Sequence, residues 1–219
     1  RYVIPKQIRS YVLREGRMTP AQRRSLDIHW DAYGILPEDI RDTKDLFSSP
    51  LTVEIGFGMG DSLLEMATTH PERNFLGIEV HRPGVGHLLM GIHDNAISNL
   101  RVVRADGSSV LKEYLPASSV ATLQLFFPDP WPKKKHHKRR LISPAFLDVA
   151  THVLGTAGVI HIATDWADYA EEIRDCLNGD QRFTQTTPPE RPLTKYEKRG
   201  VRLGHEVADI AYRLGSLDE

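Results

Sequence analysis

Four carboxylates stand at or near the ends of short apolar runs that have the length of strands. Glu54 lies within LTVEIG and Glu79 closes NFLGIEV, while Asp106 follows LRVVR and Asp129 follows ATLQLFF. The carboxyl ends of parallel strands share one edge of a sheet, which is where open α/β sheets bind their ligands. We therefore expect these acids to lie near one another, where they disfavour a pyrophosphate and favour a cationic ligand.

A glycine-rich turn joins the first of these runs to a helix. Gly56, Gly58 and Gly60 are spaced as G-x-G-x-G, so the backbone can turn sharply and approach a ligand closely. Asp61 stands where a dinucleotide-binding fingerprint has its third glycine, and no Gly-Lys-Ser/Thr follows. The sequence therefore gives little support for a phosphate cradle.

A nucleoside without phosphate fits this edge of the sheet. Glu79, at the end of the second strand, is placed to accept both hydroxyls of a ribose, and Asp106 to contact the adenine end. S-adenosylmethionine is such a nucleoside and carries a sulfonium and an amino group. Each acid alone is equally well explained as a solvated residue or a helix cap, so it is their order that favours binding.

The fourth run leads into a proline-framed aspartate and then into a basic stretch. Pro128 and Pro130 flank Asp129, and residues 131–140 carry six basic and no acidic side chains. Enzymes that methylate exocyclic amino groups of bases commonly have Asn/Asp-Pro-Pro-aromatic here, whereas this chain has Asp-Pro-Trp. An amine acceptor is thus less favoured. The basic stretch is explained either by RNA phosphate contact or by a solvated loop.

Composition limits the remaining classes. The chain has 219 residues, 40% apolar and 26% charged, with a net charge of -1, and no apolar run is long enough to span a bilayer. Cys176 is the single cysteine, which excludes an internal disulfide and a cysteine-rich zinc site. The histidines lack metal-ligand spacing. We expect a cytoplasmic protein without a metal; because the chain begins with Arg1, the sequence leaves an upstream segment open.

The pattern of elements predicts a doubly wound α/β fold. The strand, glycine turn, helix and strand from Leu51 onward form a βαβ unit, and GVIHIAT adds a fifth buried strand. A capping box at Thr19 opens a short helix, Ser143 and Gly155 bound another, and a further one covers Asp165 to Leu177. The period-two alternation of residues 208–214 predicts an antiparallel C-terminal strand. We divide the chain into a basic extension, residues 1–49, and a catalytic domain, residues 50–219.

Together these motifs resemble one known family. The stretches EIGFGMG, GIEVHRPGVG, FFPDPWPKKKHHKRR, ATDW and TKYEKRG, in this order, are similar to those of the bacterial tRNA (guanine-N7-)-methyltransferases. The resemblance covers about residues 50–215. It implies a Rossmann-like class I methyltransferase fold, S-adenosylmethionine as donor, and N7 of a guanine in the tRNA variable loop, guanine-46 in tRNA numbering, as acceptor. Pro132 and Tyr196 depart from some members, at positions outside the chemistry.

The resemblance also implies roles for individual residues. The donor would be bound by the glycine turn and by Glu54, Glu79, Asp106 and Asp129, with Asp129 also catalytic. Residues that would contact the acceptor or the RNA are more numerous. The acceptor set comprises Lys133, Asp165, Thr194, Lys195, Tyr196 and Glu197, and the RNA set comprises Lys135, His136, His137, Lys138, Arg139 and Arg140.

Asp165 is explained equally by substrate contact or by the N-cap of the following helix.

Two other functions stay open from the residues alone. A methyltransferase or dehydrogenase acting on a small molecule would lack the basic stretch, and a non-catalytic RNA-binding module would not need the ordered acids and glycines. No membrane contact and no obligatory protein partner are expected.

Overall fold

The computed structural model describes residues 16–194, 197 and 206–215. Its helices are α1 (Pro20–Tyr33), α2 (Asp61–Thr69), α3 (Arg82–Asp94), α4 (Gly107–Glu113), α5 (Pro144–Val153) and α6 (Ala167–Asn178). Its strands are β1 (Leu51–Ile55), β2 (Asn74–Ile78), β3 (Leu100–Val103), β4 (Val120–Phe126), β5 (Leu154–Thr164), β6 (Phe183–Thr186) and β7 (Ala208–Leu214). Short 3₁₀ segments span Pro37–Asp42, Lys44–Phe47 and Lys134–Arg139.

The strands form one seven-stranded sheet in the order β3-β2-β1-β4-β5-β7-β6. The five strands β1 to β5 are parallel, whereas β7 runs antiparallel to β5 and to β6. The predicted fold class is confirmed, including the antiparallel strand over residues 208–214. The strand β6 was not predicted, because Phe183 is the only apolar residue in FTQT. The strand order reverses between β1 and β4, and their carboxyl ends are therefore the expected ligand site.

Apolar side chains cover both faces of the sheet. One buried cluster packs α4, α5 and α6 on one face, and a second packs α1, α2 and α3 on the other. The capping box at Thr19 is present, and α1 packs against this second face through Leu26 and Trp30. The described part of the N-terminal region, with buried Ile40 and Leu46, thus belongs to the core.

Two helix ends differ from their predictions. α5 ends at Val153 and β5 begins at Leu154, so Gly155 lies in the strand and does not end the helix. α6 begins at Ala167 with Trp166 as its N-cap, and the Trp166 N–H donates to Thr164 Oγ1. Asp165 is therefore not the cap of α6. It lies directly after β5, at the edge of the sheet where the functional site would be.

Candidate functional site

A cavity of about 320 Å³ opens at the carboxyl ends of β1, β2, β3 and β4. Four residues predicted from the sequence line it together: Gly56, Glu79, Asp106 and Asp129. Its volume lies at the lower end of the range usual for small-molecule sites. The strand order, rather than proximity in sequence, brings these residues to one place.

The glycine turn between β1 and α2 needs glycine for backbone conformation. Gly56, Gly58 and Gly60 have φ angles of 75°, 60° and 78°, in the left-handed region that L side chains rarely adopt. Among the described residues, no atom beyond the adjoining residues stands within 4 Å of the Cβ position at Gly56 or Gly58, and that side of the turn offers space for a ligand. Gly84 on α3 supports the turn from behind, because a Cβ there would collide with the carbonyl oxygen of Gly58.

Glu79 holds the glycine turn in place. Its Oε2 accepts the N–H of Gly58 at 2.9 Å, while Oε1 accepts the N–H groups of Val80 and His81 at 2.7 and 3.0 Å. Three backbone donors thus fix the carboxylate at the cavity wall. Asp106 is fixed in a similar way, because its Oδ1 accepts the Ser109 N–H at 2.9 Å and caps α4.

Glu54 is buried beneath the cavity and does not line it. Only 3% of the residue is exposed, and its Oε2 has no hydrogen-bond partner within the described part of the chain. Burial raises the pKa of Glu54 to about 8; the nearby Arg191 cation opposes this rise and Glu79 adds to it. At neutral pH this carboxyl group is therefore largely protonated, and a cation brought close to it would favour the ionised form.

The loop after β4 carries Asp129 to the mouth of the cavity. The Phe127 N–H donates to the Ala163 carbonyl at 2.7 Å, which extends the pairing of β4 with β5. Phe127 and Trp131 have φ angles of 53° and 44°, and such left-handed conformations in bulky residues are strained. Asp129 lies between them, is exposed, and is framed by two prolines. The backbone here is held in one shape at the place where a reacting group would approach.

The basic stretch forms a short 3₁₀ segment, Lys134–Arg139, on the outside of this loop. Lys133, Lys135 and Lys138 are exposed. The Trp131 ring organises the segment, because the Arg139 guanidinium lies 4.8 Å from its centroid and the His136 ring meets its edge at 5.8 Å. Partial desolvation, and then repulsion by Arg139 and the neighbouring lysines, lowers the pKa of His136.

Arg140 is placed differently from the expectation that it contacts RNA. Its side chain is 1% exposed, and its guanidinium pairs with Asp168 at 2.6 Å and with Glu172. Its Nε donates to the Pro130 carbonyl at 2.8 Å, and the group lies over the Tyr169 ring. All of this ties the basic segment to α6. Arg140 is therefore an anchor of the segment, and its charge is already used within the protein.

Among the predicted acceptor residues, Lys133 follows β4, Asp165 follows β5, and Thr194 and Glu197 follow β6. Thr194 and Glu197 hold each other, because the Glu197 N–H donates to Thr194 Oγ1 at 3.0 Å. Lys195 and Tyr196 lie outside the described residues. Arg191, which the sequence analysis did not select, binds the Glu197 carboxylate through two hydrogen bonds of 2.6 and 3.0 Å. A lone arginine within a proline-rich loop gives no spacing signal, so only the structure reveals it.

Metal binding and membrane insertion would need other arrangements of residues than this cavity. Within the described ranges, no group of three or more His, Cys, Asp or Glu side chains is arranged to hold a metal ion. Within the same ranges, no helix combines the length and the hydropathy that crossing a bilayer would need.

Comparison with known sequences identifies similar proteins. Residues 48–210 match the family model described as "Putative methyltransferase". The tRNA (guanine-N(7)-)-methyltransferase of Halorhodospira halophila is 49% identical over 96% of this chain and 96% of its own length. The protein of the same name from Alkalilimnicola ehrlichii is 48% identical over 95% of this chain and 93% of its own length.

Comparison with solved structures supports the fold. The 16S rRNA methyltransferase KamB superposes with a TM-score of 0.60 at 14% identity, covering 80% of this chain and 94% of KamB. A 16S rRNA (adenine(1408)-N(1))-methyltransferase from Catenulisporales acidiphilia, solved with its cosubstrate SAM, gives a TM-score of 0.56 at 15% identity. The alignment covers 84% of this chain and 93% of that protein. At these identities the likeness concerns the fold.

Proposed function

The chain belongs to the bacterial tRNA (guanine-N(7)-)-methyltransferase family, and from this membership we propose that it methylates N7 of guanine-46 in tRNA with S-adenosylmethionine as donor. One observation carries the proposal. A cavity at the strand crossover brings the glycine turn, Glu79, Asp106 and Asp129 together, and the lysine-bearing segment follows Asp129 directly. We place the enzyme in the cytoplasm, where bacterial tRNA is modified.

The residues around the cavity fit a nucleoside with a cationic amino-acid tail. Glu79 would accept from the ribose hydroxyls through Oε2, which accepts only the Gly58 N–H, while the two backbone donors on Oε1 hold the carboxylate at the cavity wall. Asp106 would contact the adenine end, and the open side of Gly56 and Gly58 leaves room for the tail. Glu54 lies beneath the cavity, so the ionised form of its carboxyl group would favour the ammonium group of that tail through charge rather than by lining the site. When bound, the donor supplies an electrophilic methyl group on sulfonium.

Guanine N7 already presents a lone pair, so the reaction needs alignment more than a base. Holding two reactants in line can lower a barrier by about 7–11 kcal/mol. The strained, proline-framed loop fixes Asp129 beside the cavity, and such rigidity is what alignment requires. Methylation leaves positive charge on the guanine ring, and the Asp129 carboxylate would stabilise that charge or orient the base.

The acceptor guanine would lie between Asp129 and the residues after β5. Lys133, Asp165, Thr194 and Glu197 supply an ammonium group, a hydroxyl and two carboxylates there, joined in the family pattern by Lys195 and Tyr196. A carboxylate can accept hydrogen bonds from the N1 and N2 donors of guanine. These contacts would select guanine over adenine, which presents a different set of donors and acceptors.

The RNA backbone would be held by the segment next to this site. Lys135, Lys138, Arg139 and the two histidines, His136 and His137, lie on the 3₁₀ segment and its flanks, one step beyond Asp129. Cations at this position can contact phosphates on either side of the target nucleotide. Arg140 would act indirectly, by keeping the segment in its place.

The deciding experiment incubates the protein with methyl-labelled S-adenosylmethionine and unmodified tRNA, followed by nuclease digestion and identification of the labelled nucleoside. We expect N7-methylguanosine at position 46, and none with a tRNA transcript in which that guanine is replaced by adenine. A 16S rRNA transcript serves as the second acceptor, since structural neighbours act on it. Labelling of the rRNA alone, or of an adenine, would contradict the proposal.

A further inference from the structure

Buried polar side chains form a row across the sheet beneath the cavity. Glu54 on β1 is the register partner of Gln124 on β4, and Gln124 is the register partner of His161 on β5. The three residues are 3%, 4% and 0% exposed. Side chains in register on neighbouring strands share a face, so the three are adjacent. Polar groups in a core without a clear structural need are a signal of function.

The row continues beyond the parallel strands through a chain of hydrogen bonds and ion pairs. His161 Nε2 lies 2.6 Å from Asp209 Oδ1 on β7, and the other carboxylate oxygen of Asp209 lies 3.2 Å from the Arg191 guanidinium. Arg191 then binds both oxygens of Glu197, in a fork-to-fork pairing. One cation therefore connects the antiparallel strand to the predicted acceptor residue.

Arg191 also contacts the wall of the donor cavity. Its guanidinium lies 4.8 Å from the centroid of the Phe126 ring, and Phe126 lines the cavity. The Arg191 side chain is only 4% exposed and Glu197 only 6%, so this pair is shielded from solvent. A planar guanidinium that stacks on a ring and binds two carboxylates has one allowed orientation. The position of Glu197 relative to the cavity is thereby fixed.

We infer that Arg191 is a positioning residue, which locks the acceptor segment around Thr194 and Glu197 against the donor cavity without itself touching the reacting atoms. The inference rests on the proposed function. Arg191 serves the donor side as well, since its charge favours the ionised form of Glu54. Arg191 thus contacts both the predicted acceptor residue Glu197 and the cavity wall at Phe126, which an ion pair that only stabilised the fold would not need to do.

Substitution by lysine separates the two roles. Arg191→Lys keeps the charge near Glu54 but cannot bind Glu197 and Asp209 while stacking on Phe126. We expect kcat/KM for tRNA to fall about tenfold or more, mainly in kcat, since a misplaced acceptor loses transition-state alignment. Calorimetric affinity for S-adenosylhomocysteine should change less than about threefold, the effect expected where charge is kept. Arg182→Lys is the matched control, since Arg182 pairs with Asp148 and Asp180 at the far edge of the sheet.

Two results of these kinetic and binding measurements would overturn the inference. One is a kcat/KM of Arg191→Lys equal to that of Arg182→Lys. The other is a loss of nucleoside affinity and melting temperature that parallels the loss of activity, because a purely structural arginine would affect all three together. Arg191→Met, which also removes the charge, should weaken nucleoside binding in addition.

Hydrogen exchange gives a readout that does not depend on activity. The Thr194 N–H donates to Glu197 Oε2, so release of Glu197 should speed the exchange of that amide. We expect faster exchange in the peptide that contains Thr194 for Arg191→Lys and no change for Arg182→Lys. If the wild-type protein methylates no tRNA but this exchange result holds, the proposed function fails while the positioning contact stands. Unchanged exchange in Arg191→Lys refutes the inference whatever the activity.

Discussion

Replacing Glu54 with glutamine should change how the stability of the ligand-free protein depends on pH. In the folded protein, burial holds the pKa of Glu54 at about 8, against 4.5 for an ordinary glutamate. Between these values the native state binds more protons than the unfolded chain, so stability falls as pH rises. Glutamine has nearly the same shape and does not titrate, and this part of the pH dependence should disappear.

The size of the effect follows from the shift. Each unit of pKa difference is worth about 1.36 kcal/mol, so Glu54 as a glutamate costs about 5 kcal/mol at high pH. Of this, about 2–3 kcal/mol develops between pH 5.5 and pH 7.5. Relative to the wild type, Glu54→Gln should therefore be more stable at pH 7.5 than at pH 5.5 by about this amount.

Urea unfolding of both proteins at the two pH values measures the difference, because all other titrating groups are common to the pair. Glu72→Gln is the control: the Glu72 backbone and His70 hold the pKa of that exposed carboxyl low, so it is ionised in both states throughout this range. Parallel pH profiles for wild type and Glu54→Gln would refute the reasoning. Donor binding should release a proton from wild-type Glu54, detected by calorimetry in buffers of different ionisation enthalpy, and none from the variant.

Three other variants test the site. Asp129→Ala should lower kcat by about a hundredfold or more with little change in melting temperature, and near-wild-type turnover would dismiss its role. Replacing Lys135 and Lys138 with alanine should weaken tRNA binding and reduce its log-log salt slope by up to about two units. Lys44→Ala, next to the amino end of β2, should leave the slope as it is, and an unchanged slope in the double variant would place the RNA elsewhere. Arg140→Met should lose about 1–3 kcal/mol of stability, measured by urea unfolding, because its charged hydrogen bonds are lost, and unchanged stability would contradict its anchoring role.

Much of the fold could be predicted from the sequence because it depends on local signals. The glycine turn, the capping box at Thr19 and the period-two pattern of β7 each have a characteristic spacing, and each formed the predicted structure. Contacts between distant segments gave no such signal. Gly84 looks like an ordinary small residue in α3, and only its approach to Gly58 explains it.

Charge proved the least reliable guide to the position of individual residues. The sequence assigns Arg140 to the same basic run as Lys138, but the structure buries it against Asp168 and Glu172 of α6. A run of basic letters does not say which side chain faces solvent, because that depends on partners more than 25 positions away. The same limit applies to Arg191, whose partners include a residue on β7.

The anchoring of the 3₁₀ segment has a consequence for how an RNA would be received. A loose basic tail must lose conformational freedom when it meets a polyanion, and that loss weakens the complex. Here Arg140 and the Trp131 ring have already fixed the backbone. The lysines consequently project from an anchored backbone, and under the proposed function this would favour a folded tRNA over an unstructured strand of equal charge.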